Sequence, residues 1–278
     1  MSTFEMIFFG VALVCYCIAC GGLISSIIFM KPRLVPAMTA LVWVGLLAHT
    51  GSIGARYLAQ GHLPWSGDYE YALMGGWFIT AGTVIIGWRN RALRALATAT
   101  VPLVILMMGY GLMAAPRLAP MAASLKTFWL YIHVYFAWLS FSAFALAMAA
   151  GMLYLLKQKD ETRAEKNPVY DLFPPLARLD ELVFRYITFG FITDSIMIVA
   201  GSIWAKGLWG SYWNWDPVET WSLISYLAYG TAIHFRVTMG WRDSRMAWLA
   251  IVLFTTVVIS FFGVTFLVNS SLHIFQVR

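Results

Sequence analysis

Eight long apolar runs dominate this sequence, at residues 5–29, 35–59, 70–87, 95–115, 127–156, 182–205, 218–235 and 246–268. About 20 apolar residues are what an α-helix needs to cross the hydrocarbon of a bilayer. A segment in lipid must satisfy its own backbone hydrogen bonds, so only helices and closed barrels can span. None of the runs shows the two-residue alternation of a barrel strand. The expected fold is therefore all-α, a polytopic membrane protein of about eight transmembrane helices in a single membrane domain over residues 1–278. Composition agrees: the chain is 60% hydrophobic and 12% charged, where a soluble domain is nearer 45–50% apolar, roughly.

Basic loops stay on the cytoplasmic side of a membrane. Three short connections here are basic, at Lys31/Arg33, Arg89/Arg91/Arg94 and Arg236/Arg242/Arg245, as is the connector 157–181 with Arg185 just after it. Placing these in the cytoplasm leaves only Arg56, Arg117, Lys126, Lys206 and Arg278 outside. It also puts both termini on the outer, periplasmic side, which agrees with an even number of helices. The net charge of +6 then reports membrane orientation. No aromatic-interleaved basic stripe argues for nucleic acid.

The first run carries Glu5 and no basic residue ahead of it, and is too long for the apolar part of a cleaved signal peptide. Cys15, Cys17 and Cys20 lie within it and spread around the helix at 100° per residue, which suits neither a metal site nor a disulfide framework, so they read as small apolar residues. The connector 157–181 is too short for a domain and is expected to be a solvated cytoplasmic link with one amphipathic turn at most.

Against this background one stretch is anomalous. WAKGLWGSYWNWDPVETW, residues 204–221, holds five of the thirteen tryptophans. It falls in the outer loop 204–217, and Asp216-Pro217-Val218-Glu219 within it has the form of a helix start: Asp at the N-cap, Pro at the first position, Glu at the third. Gly207 and Gly210 permit positive φ and close approach of another surface. An aromatic belt at the membrane interface accounts for about two or three indoles. Trp204, Trp209, Trp213 and Trp215, with Tyr212 among them, exceed that and fit a platform for a flat apolar ligand.

A flat ligand with a central metal would need axial ligands, and imidazole is the usual one for haem iron. Of the five histidines, His133 lies about two turns inside the fifth run, with Trp129 on the same face. His273 lies in the tail NSSLHIFQVR. Both fall on the outer side, where they can meet beside the tryptophan loop. His234 is 17 residues beyond Pro217, about 25 Å along the helix, so it cannot share an iron with either. His49 lies some ~15 Å deep in the second run, too shallow to pair with His234, whose mate would come from another chain. His49 reads either as a bond to a neighbouring helix or as a ligand contact, and His62 as structuring its loop or touching ligand. Asp194 is an intramembrane acid that lines a polar path or bonds across helices.

WGSYWNWDPVETW resembles the tryptophan-rich WWD signature of the haem-handling proteins of cytochrome c biogenesis. With DPVETWSLISYLAYGTAIHFR after it, the pattern is most similar to the CcsA, or ResC, family of the system II pathway, and the likeness extends from HTGSIGARYLAQGHLPWSGDYEYAL to SLHIF. The resemblance implies that LYIHVYFAW puts one outer haem ligand at His133 and VNSSLHIF the other at His273. It implies that the embedded histidine after the WWD helix is His234, its mate supplied by a CcsB/ResB-type partner. Gly210, Trp204, Trp209, Tyr212, Trp213, Trp215 and Asp216 belong to the haem-covering segment.

On this reading the chain is the haem-presenting part of a cytochrome c haem lyase, or synthase, in the bacterial cytoplasmic membrane or its thylakoid equivalent. A transiently bound b-type haem passes from His234 to the outer site and is offered to the CXXCH thiols of apocytochrome c, with thiol-reducing proteins involved indirectly. Arg56, Arg117, Lys126 and Lys206 are candidate propionate partners. The alternative is a polytopic transporter or channel without haem, with Asp194 and His234 lining its path.

Overall fold

The computed structural model describes residues 1–65, 67–114, 118 and 125–264. Among these residues there is no strand, and eight α-helices follow one another: α1 Thr3–Ile28, α2 Leu34–Gln60, α3 Asp68–Arg89, α4 Ala97–Met113, α5 Phe128–Glu161, α6 Leu176–Trp209, α7 Pro217–Val237 and α8 Ser244–Val258. Seven are long and apolar enough to cross a membrane, α4 counted with the 3-10 turn Arg91–Leu96 before it and α8 with the π turn Ile259–Gly263 after it. The exception is α7, whose 21 residues include Glu219, His234 and Arg236.

Each apolar run coincides with one helix. Around the connector the helices reach beyond the runs, because α5 continues to Glu161 and α6 begins at Leu176. What remains between them is tied down. Lys157 Nζ donates to the carbonyls of Tyr170 and Phe173 at 3.1 and 3.2 Å, and Asn167 Nδ2 donates to Ile27 O at 2.7 Å. Val169, Tyr170 and Phe173 are buried. Residues 161–166 of this segment are exposed, as its charge suggested, while Lys157 and the amide of Asn167 satisfy backbone carbonyls that would otherwise be stranded.

The chain divides into two compact units: α1–α4 with residues 152–179, and the 128–151 part of α5 with α6 from Asp180, α7 and α8. In the first, α1 packs along α2 and α4, and α3 against α2 and α4. Its interior holds a buried ion cluster. Arg56 donates to Glu5 at 3.0 Å and to Glu70 at 2.8 Å, and its guanidinium lies 4.7 Å from the Tyr69 ring centre. In lipid a buried charge persists only when paired in this way.

In the second unit, aromatic side chains interlock the helices. Phe144 of α5 stacks on Tyr229 of α7 at 3.7 Å, and Phe141 meets Phe254 of α8 at 5.6 Å. Tyr226 of α7 stacks on Phe191 of α6 at 4.4 Å. Water-driven burial contributes little between helices in lipid, so close packing of this kind is what holds α5–α8 together.

Candidate functional site

The tryptophan segment is built by a helix that ends late and another that starts at once. α6 runs through Trp204 to Trp209, so the loop proper is only residues 210–216. Gly210 stops the helix with φ +78°; its N–H donates to Lys206 O at 3.1 Å, and Lys206 Nζ donates back to Gly210 O at 2.7 Å. Such a left-handed C-terminal residue is almost free of strain only in glycine. The Lys206 ammonium also lies 5.5 Å from the Tyr212 ring centre.

Beyond the glycine, Ser211 Oγ donates to Trp213 O at 2.8 Å, and Trp213 meets Trp215 edge-on at 5.9 Å. Trp215 has φ +56°, an uncommon state for a bulky residue, and is 70% exposed. The expected cap then follows. Asp216 Oδ1 accepts from Val218 N at 3.0 Å, Pro217 occupies the first turn, and Glu219 Oε2 accepts from Asp216 N at 3.3 Å. Glu219 also takes Asn214 N at 2.7 Å. The carboxylate thereby pins the strained indole from both sides along the chain.

His133 stands beside the base of this segment. Its Nδ1 donates to Met197 O on α6 at 3.0 Å, and its ring stacks on Trp204, 6.2 Å between centres and 22° between planes. Trp204 in turn meets Trp209 edge-on at 5.2 Å. Placing the proton on Nδ1 leaves the ring's lone pair on Nε2. The space for the imidazole comes from Gly201, where a Cβ would fall 2.5 Å from His133 Nδ1. Gly201 and the Met197 carbonyl were missed by sequence reading. Their signal was their spacing along α6, three and seven residues before Trp204 on the same face.

His234 occupies the other end of α7. It is exposed, on a stripe with Ile224, Leu227, Thr231 and Thr238. An imidazole exposed among apolar residues of a membrane protein's helix is a polar group that a covering surface would satisfy. Behind it, Arg236 is buried and grips Asp180 through both nitrogens, at 2.8 and 2.7 Å, while donating to Trp241 O at 3.2 Å. Sequence reading assigned Arg236 to a basic loop; it is instead an interior ion-pair partner.

The remaining candidates separate cleanly. His49 is fully buried in the first unit, where Nε2 donates to Leu73 O at 3.0 Å and Nδ1 lies 3.4 Å from Tyr16 Oη. Both ring nitrogens serve helix packing. Nδ1 of His62 lies 2.9 Å from the neighbouring Leu63 carbonyl. Ser140 Oγ on α5 reaches Asp194 Oδ1 on α6 at 3.4 Å, which realises the bond across helices. Arg56, a propionate candidate, is sealed between Glu5 and Glu70, whereas Lys126 and Lys206 are exposed. His273 and Arg117 lie outside the described residues.

Fold and site together define a polytopic membrane protein with a tryptophan-lined loop, a tethered imidazole at its base and a second, exposed imidazole near the far end of α7. Residues 65–273 match the family model described as cytochrome C assembly protein. The CcsA cytochrome c biogenesis protein of Guillardia theta is 31% identical, with 80% of this chain and 79% of that one covered. Those of Porphyra purpurea and a Synechocystis species are each 29% identical, the aligned region covering 93% and 89% of this chain and 95% and 90% of theirs. Among solved structures, the chain resembles the cytochrome c heme lyase CcmF with a TM-score of 0.70 at 16% identity, over 93% of this chain and 46% of that one. At that identity the likeness speaks to fold, and the chain spans under half of that structure.

The chain belongs to the cytochrome c assembly family, as a CcsA-type cytochrome c biogenesis protein. It is membrane-integral and takes part in cytochrome c maturation.

Proposed function

We propose that this chain handles haem as its substrate, receiving it at His234 and presenting it beside the tryptophan segment at His133 for attachment to apocytochrome c. The observation that carries the reading is the His133 assembly. An imidazole tethered through Nδ1 to Met197 O, backed by Trp204 and fitted against Gly201, is prepared to offer Nε2 to a metal. The exposed indole of Trp215, held in a strained backbone by Asp216 and Glu219, supplies an apolar face for a macrocycle. His273 is the second ligand of this outer site.

The residues fit the chemistry. Bis-imidazole ligation holds haem in its low-spin form, and indoles shield its faces while an edge stays open. Each thiol of CXXCH then adds across one vinyl group, sulfur to one carbon and hydrogen to the other, so no oxidant is required. The apocytochrome histidine displaces one ligand on release.

The distribution of basic residues supports an orientation with both termini and the tryptophan segment on the outer face. The exposure of His234 on α7 supports a CcsB/ResB-type membrane partner that brings the second inner imidazole.

The test is co-expression with that partner and a reporter apocytochrome, scoring covalent haem, alongside absorption spectra of the purified complex. The reading expects attachment to fail in Trp215→Ala and His273→Ala, and the reduced spectrum to weaken in His133→Ala and recover with imidazole. A colourless complex from haem-replete cells, or attachment retained in both loop and tail variants, overturns it and leaves transport of another substrate.

A further inference from the structure

The end of α7 is unusually well anchored for a helix terminus. Final turns ordinarily fray, because their last carbonyls lack partners. Here Thr238 closes the helix: its N–H donates to His234 O at 2.8 Å, and its Oγ1 lies 3.3 Å from His234 Nδ1. Two residues before it, Arg236 is locked on Asp180, and the same carboxylate accepts Asp243 N at 2.7 Å. The start of α6, the end of α7 and the turn into α8 therefore meet at a single buried aspartate. Trp241 stacks on Phe235 at 4.4 Å and its N–H donates to Phe235 O at 3.0 Å, closing the turn from the other side. The result is a fixed platform that carries one exposed imidazole and one hydroxyl in register.

We propose that Thr238 is a positioning residue for His234. In the tautomer whose Nε2 is free to ligate, its Oγ1 accepts the Nδ1 proton and fixes the ring, and the Asp180–Arg236 clamp keeps hydroxyl and imidazole on the same turn. The opposite arrangement, with the hydroxyl donating to Nδ1, would leave the proton on Nε2 and block ligation. His133 uses the same device with a backbone carbonyl in place of the hydroxyl. The inference rests on the proposed haem-handling role of His234 and adds the group that sets its ring.

The experiment uses the full chain co-purified with its CcsB/ResB-type partner, in a His133→Ala background so that the inner site alone reports. Haem retained against a haem-scavenging apoprotein and the reduced absorption spectrum are measured for the parent, His234→Ala, Thr238→Val and Thr238→Ser. Thr238→Val is expected to weaken retention about ten- to a hundred-fold and shift the spectrum, and Thr238→Ser to restore both to within about twofold, as expected for a group that orients a metal ligand. Loss in His234→Ala with parental behaviour in Thr238→Val overturns the positioning role. Equal loss in the Ser and Val variants overturns it as well, by making the defect one of helix capping. Full retention in His234→Ala instead removes the underlying reading of that histidine.

Discussion

Gly201→Ala places one methyl group where the His133 ring now stands. The new Cβ would lie 2.5 Å from Nδ1 and 2.9 Å from Cε1, whereas non-bonded carbons settle at about 3.5–4.0 Å. The ring must therefore retreat by roughly 1 Å. That carries the Nδ1–Met197 contact from 3.0 Å past the limit of a hydrogen bond and tilts the imidazole off Trp204. The obstacle is a side chain that can swing, so the helix pair survives. The lost bond costs about 0.5–1.5 kcal/mol and residual overpacking about 1–3 kcal/mol.

Loss of a group that orients a metal ligand typically weakens binding about ten- to a hundred-fold, which is ~1.4–2.8 kcal/mol and of the same size. Haem content and the reduced spectrum of the purified complex, with and without added imidazole, measure the effect. Gly207→Ala is the internal control, because a Cβ there meets nothing within 4 Å. Parental haem content and spectrum in Gly201→Ala would refute the argument that this glycine makes room for the ligand.

Other changes separate structural from functional groups. Arg236→Met strands Asp180 in the interior and should cost about 3–5 kcal/mol, seen as early loss of helical signal on heating in detergent, with much of it recovered in Arg236→Met/Asp180→Leu. His49→Leu removes the links to Leu73 and Tyr16 and should lower stability by about 1–3 kcal/mol while leaving haem content per folded protein unchanged. Gly210→Ala forces a side chain into the left-handed region and should cost about 1–2 kcal/mol, with covalent haem attachment falling because Tyr212 through Trp215 are displaced.

The helices were legible because lipid imposes one rule on every span, and seven of the eight runs obey it. The capping box at Asp216–Glu219 was legible too, since a cap is a local code of four residues. Other features depend on partners distant in sequence. That Arg56 is neutralised by Glu5 and Glu70, and Arg236 by Asp180, follows from three-dimensional neighbours, so composition could count these arginines but not locate them. Gly201 reads as one glycine among 22; only the packing of α5 on α6 shows which imidazole it admits.

The run 218–235, read with the others as a span, forms the one long helix that is not apolar enough to be a candidate span among the described residues, and its faces give the reason. One face carries Tyr229, Ala232 and Arg236 into the interior, and the opposite face shows Ile224, Leu227, Thr231, His234 and Thr238 to the outside. A span facing only lipid would not keep an imidazole and two hydroxyls on its outer stripe, because each costs free energy there without a partner. Thr231 returns its hydroxyl to Leu227 O, and Thr238 shares its own with His234, but neither satisfies the second imidazole nitrogen. The low apolarity of α7 and the exposure of His234 therefore go together: this face carries a ring nitrogen that a neighbouring polar surface would satisfy, the role that the proposed function gives to a membrane partner.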